Sequence, residues 1–156
     1  MAPRRPRQPA AVAAGSANAD GNNTSADIPA AVLYSQASPQ QIADYLTLCA
    51  KTRSGITDTL GILELHRQDP DTSADELRYI NAEYGDQVAK KARVAAMQDA
   101  FIDNTRAMRP PTQEMMNTAT NLLKLLDDMT ANNNTAEAAI TTATQLFKTW
   151  HNTEIS

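Results

Sequence analysis

Large aliphatic and aromatic side chains are scarce in this sequence. Aromatic residues make up 4% of its 156 positions. Leu, Ile, Val and Phe together supply about a sixth of the chain, less than a well-filled core draws on. The hydrophobic fraction of 42% rests largely on 27 alanines. Such a chain can bury narrow, alanine-packed helical interfaces but not a thick sheet-and-helix core. A doubly wound enzyme and a β-sandwich are therefore poorly supported. A single cysteine, Cys49, excludes an intrachain disulfide and a cysteine-based zinc site. The two histidines, His66 and His151, have no carboxylate at metal-site spacing, so no metal or other cofactor is expected. No run approaches the roughly 18 to 20 apolar residues of a membrane span, and none is expected. Charge is balanced too, with 14 basic against 18 acidic residues and a net charge of −4. That argues against a surface devoted as a whole to nucleic acid.

Residues 1–37 differ in composition from the rest. Three arginines (Arg4, Arg5 and Arg7) alternate with Pro3, Pro6 and Pro9, and no acid precedes Asp20. Each proline fixes φ and removes a backbone donor, so extended chain is expected there. Ala10 to Ala26 is built from Ala, Gly, Ser, Asn, Thr and Asp with one valine, too little apolar surface to offset the cost of ordering. The expectation is a flexible N-terminal tail over 1–37, with Ile28 to Tyr34 as a short docking segment. The alanine run at 10–14 is too short for a secretory signal, and the prolines spoil an amphipathic transit helix. A plain solubilising tail fits the composition best. An arm whose arginines neutralise phosphates is the sharper alternative.

From Ser38 the pattern is helical. Ser38-Pro39-Gln40-Gln41 is a capping box with proline at the first helical position. Ile42, Tyr45, Leu46, Cys49, Ile56, Leu60 and Leu63 then share one face, weakened by Gly55 and Gly61, until Asp69-Pro70 ends the helix. A second capping box, Ser73 to Glu76, opens a helix carrying Leu77, Ile80, Tyr84 and Val88. At 100° per residue, Val94, Met97, Phe101 and Met108 fall on the opposite side of it. Arg109-Pro110-Pro111-Thr112 is a stop and restart. A third helix shows Met115, Ala119, Leu122, Leu126 and Met129 at heptad-like spacing. Thr135 caps a fourth, with Ala136, Ile140, Ala143, Phe147 and Trp150 on one face. The expected fold is all-α: residues 38–156 form an antiparallel bundle of about four helices, two long and two short.

Candidate chemistry is thin. Asp127 and Asp128 point about 100° apart and cannot form a shared carboxylate pair with each other. His66 and His151 lie in last turns, where they suit the helix dipole. Lys90, Lys91 and Arg93 form a basic cluster, but Glu83, Asp86 and Asp99 lie at pairing distance along the helix. The sequence therefore points to a non-enzymatic interaction or assembly protein, one that self-associates or docks a protein partner. Its expected contact residues are Val94, Met97, Phe101 and Met108. The alternative is a coat-like structural nucleoprotein, with Arg4, Arg5, Arg7, Lys90, Lys91 and Arg93 as candidate nucleic-acid contacts. Nothing in the sequence assigns a compartment.

Overall fold

A computed structural model describes residues 29–132 and 135–155. Four helices follow one another, α1 (Pro39–Gln68), α2 (Ala74–Ile102), α3 (Gln113–Asn132) and α4 (Ala136–His151). Two are long, at 30 and 29 residues, and two are short, at 20 and 16. No strand occurs among the described residues.

Local sequence sets the helix starts. Ser38 Oγ accepts from the Gln41 backbone N–H at 3.1 Å while Gln41 Oε1 accepts from the Ser38 N–H at 2.9 Å. Ser73 and Glu76 repeat this reciprocal cap at the start of α2. Thr112 and Thr135 hydroxyls accept from Met115 and Ala138 N–H groups, so α3 and α4 also begin on a side-chain cap.

Helix α1 is the axis of the bundle and packs against each of the other three, whereas α2 lies along α1 and only grazes α4. Tyr45, Leu48, Cys49, Thr52, Gly55, Ile56, Thr59, Ile62 and Leu63 are buried on α1. Two of these are threonines, and each hydroxyl returns to a carbonyl one turn back, Thr52 to Leu48 and Thr59 to Gly55. That removes the penalty of an unpaired buried hydroxyl. Gly55 marks a close approach: a Cβ there would run into Leu146 Cδ2 of α4 and come within 3.0 Å of Leu126 Cδ1 of α3. The main core joins Tyr45, Leu48, Val94, Phe101, Leu122, Leu126, Leu146 and Trp150, and a smaller cluster joins Leu63, Ile80 and Ile140 at the other end.

Two boundaries differ from the sequence-based expectation. Helix α2 stops at Ile102 rather than running to Met108. Asn104 adopts φ 62°, and the N–H groups of Thr105 and Arg106 turn back onto the Ala100 carbonyl. Asparagine tolerates this left-handed conformation, which ends a helix as glycine does. The packed chain also begins before Ser38. Val32 and Met108 exchange backbone hydrogen bonds of 2.8 and 2.9 Å, Tyr34 meets the Phe101 ring edge-on at 5.4 Å, and Ser35 N–H donates to Asn104 Oδ1. Residues 29–37 are thus a strap over the α2–α3 connection.

Candidate interaction surfaces

The four residues expected to meet a partner are placed in the core of this chain instead. Val94, Phe101 and Met108 are buried, and Met97 is half-buried against the same cluster. Phe101 lies between Tyr34 and Tyr45, edge-on to both, with ring centroids 5.4 and 5.0 Å away. The strap covers one side of it and α1 the other. Met108 is not on α2 at all, since it sits in the short pairing with Val32. Three of the four positions are thus packed inside this chain, and Met97 borders the same core.

Side chains that α2 does bury are Ile80, Gln87, Val94 and Phe101, each seven residues from the next. A strict seven-residue repeat keeps to one side only where a helix winds left-handed about its neighbour. On a straight 100° wheel the same four positions drift by about 20° per repeat, about 60° from Ile80 to Phe101, so they form one face and the expected opposition of Val94 and Phe101 to Ile80 does not hold. Gln87 sits mid-stripe, fully buried, and its amide has no hydrogen-bond partner among the described residues.

Directly opposite that stripe, α2 turns a small-residue face outward. Ala82, Gly85, Ala89, Ala92 and Ala96 follow one another at steps of three and four, and all are exposed. Val88 flanks them and is 45% exposed, with Tyr79 and Ile102 further round the helix also exposed. Among the described residues, no atom lies near the position a Cβ would take on Gly85. At the ends and along one flank stand Arg78, Asp86, Arg93 and Asp99, all exposed.

The basic cluster is partly spoken for. Lys90 pairs with Asp86 at 2.9 Å and stands 5.5 Å over the Phe147 ring. Arg93 grips Glu154 through Nε and Nη2 at 3.0 and 2.9 Å, and Glu154 also meets His151 Nδ1 at 2.6 Å. The Glu154 side chain is only 6% exposed, so this clamp ties the C-terminal segment to α2. Arg106 adds a bond to the Ile155 carbonyl, and the Arg109 N–H donates to the Thr153 carbonyl. Lys91 is half-buried beside the stripe. Arg4, Arg5 and Arg7 lie outside the described residues.

Two further groupings bring together residues far apart in sequence. Burial, and after it the hydrogen bonding and charge of Asp127 on α3, push the carboxyl of Asp58 on α1 up to about 6. Asp127 therefore does have a carboxyl partner, one helix away rather than one residue away. Cys49 lies with Tyr45 and Trp150 in the core, where burial pushes both the thiol and the phenol upward. Among the described residues, no group of three or more His, Cys, Asp or Glu side chains is arranged to hold a metal ion, and no helix is long and apolar enough to cross a membrane.

No family model, curated protein or solved structure matches the chain.

Proposed function

We propose that this is an assembly protein rather than an enzyme, one that works by packing a helix face against another protein chain, in the first instance a copy of itself. The observation that carries this reading is the division of α2. Its 29 residues give one narrow stripe to the fold, while Ala82, Gly85, Val88, Ala89, Ala92 and Ala96 remain exposed on the far side. A solvated helix in a chain of 21% charged residues would place Lys and Glu there, because such side chains keep a surface soluble. Alanine and glycine instead leave a smooth ridge against which a second helix can come close.

Light scattering on the full chain, over a range of concentrations, tests the proposal. Its expected result is a mass above the 16.9 kDa of one chain, rising with concentration. A mass fixed at one chain throughout overturns self-assembly.

A further inference from the structure

Resting on that assembly reading, we propose that the outer face of α2 docks a second copy of this chain, with the two α2 helices antiparallel and centred on Ala89. The charges on the face select both the occupant and the direction. Taking 100° per residue, Asp86 and Arg93 lie on the same flank of the exposed ridge. They stand three residues before and four after Ala89. A two-fold axis through Ala89 brings each flank against itself with the direction reversed, so Asp86 of one copy meets Arg93 of the other, twice. Arg78 and Asp99 stand eleven before and ten after the same centre, close to the ridge line, and meet in the same way. Ala82 then faces Ala96. A parallel pair would turn the Asp86 and Arg93 flank toward Val88 and Ala95 of the other copy and leave both charges unmatched.

Each of these side chains is free enough to take part. The Arg93 side chain is 51% exposed and the Asp86 side chain 54%, although both have partners within their own chain. Arg93 uses Nε and Nη2 on Glu154, and a guanidinium has five N–H donors, so others remain for a second carboxylate. Arg78 is paired with Asp75 on the surface, in an exposed contact that rearranges at little cost. The ridge carries nothing beyond Cβ at Ala82, Gly85, Ala89, Ala92 and Ala96, so the helix axes can approach to about 8 Å. Val88 of each copy is covered at the edge of the contact. Because the surface is complementary to itself about a two-fold axis, the assembly closes as a dimer.

Sedimentation of the full chain over a concentration series, with circular dichroism to confirm that each variant keeps its helices, tests this. Arg78→Asp and Asp99→Arg should each move the monomer–dimer midpoint to about tenfold higher concentration, through like charges placed in contact. The double variant restores the pairing with its signs exchanged and should return the midpoint toward the unmodified value. Ala89→Cys should form a disulfide-linked dimer under oxidised glutathione, since two copies of residue 89 meet at the axis within disulfide reach. Thr57→Cys, exposed on α1, should not. If the chain associates but neither charge reversal moves the midpoint and Ala89→Cys fails to cross-link, the assembly reading stands and this face is the wrong one. If the chain is a monomer at every concentration, both fall.

Discussion

Gly55→Ala and Gly61→Ala are the same change six residues apart on α1, with opposite expected outcomes. Replacing glycine by alanine inside a helix ordinarily stabilises by about 0.5 to 1 kcal/mol, through the lower entropy of the unfolded chain and better helix propensity. At Gly61 nothing among the described residues lies near the new methyl, so Gly61→Ala should realise that gain. At Gly55 the methyl enters space held by Leu146 Cδ2 and Leu126 Cδ1. Both leucines are fully buried, and in a close-packed interior each must push on its own neighbours to make room. Overpacking of this kind costs about 1 to 3 kcal/mol. Gly55→Ala should then be net destabilising by up to about 2 kcal/mol, and the two variants should melt apart by about 5 to 10 °C in a fold of this size. Urea denaturation followed by circular dichroism measures the difference. In a Leu146→Ala background the obstructing methyl is gone, and Gly55→Ala should lose most of its cost. Equal stabilisation by both glycine replacements would refute the close approach of α1 to α3 and α4 at Gly55.

Three other outcomes follow from the packing. Phe101→Ala should cost about 3 to 5 kcal/mol, because Tyr34 and Tyr45 both pack against that ring, whereas Leu65→Ala, at a 59% exposed site, should stay within about 0.5 kcal/mol; similar costs at the two sites would contradict the burial pattern. A chain starting at Ser38 should melt below one starting at Pro29, having lost the Val32–Met108 pairing and the Tyr34 ring contact; identical melting would show that the strap adds no stability. The folded-state pKa of Asp58, about 6, lies above the ordinary aspartate value of 3.8. Its contribution is therefore fully present below pH 4 and lost as pH rises through 6. The urea midpoint of the unmodified chain should fall relative to that of Asp58→Asn across this window, and parallel curves would dissolve the Asp58–Asp127 contact.

The helix starts were legible because they are written in adjacent residues. Ser38 with Gln41, Ser73 with Glu76, and Thr135 each state a cap within four positions, and the structure closes those hydrogen bonds. The α3 and α4 stripes were also readable, because these helices are short enough that drift between a straight wheel and the true path stays small. The exposed and buried sides of α2 were harder to assign. Over 29 residues its buried line follows a seven-residue repeat, and Gln87 interrupts that line with a polar side chain. Leu77, Tyr84 and Val88 beside it suggested a second apolar face. Val88 lies instead on the solvent side, 45% exposed, and Leu77 and Tyr84 stay half-buried at the edge. The early end of α2 had a signal in Asp103-Asn104, since asparagine accepts positive φ, but Met108 continued the apolar spacing and masked it. Contacts such as Arg93 with Glu154, or Asp58 with Asp127, depend on how helices are arranged in space, and no local pattern announces them.

Amide hydrogen exchange resolved by residue, run on the full chain at low and high concentration, tests most directly the claim that α2 keeps one face for its own fold and one for a second copy. As the outermost helix, α2 opens with few buried contacts to hold it, so docking should slow its exchange selectively. If α2 docks a second copy, protection across Ala82 to Ala96 rises with concentration while protection at the Val32–Met108 pairing, which the strap can open locally without undoing that face, stays constant. Protection in α2 that is the same at every concentration would contradict it.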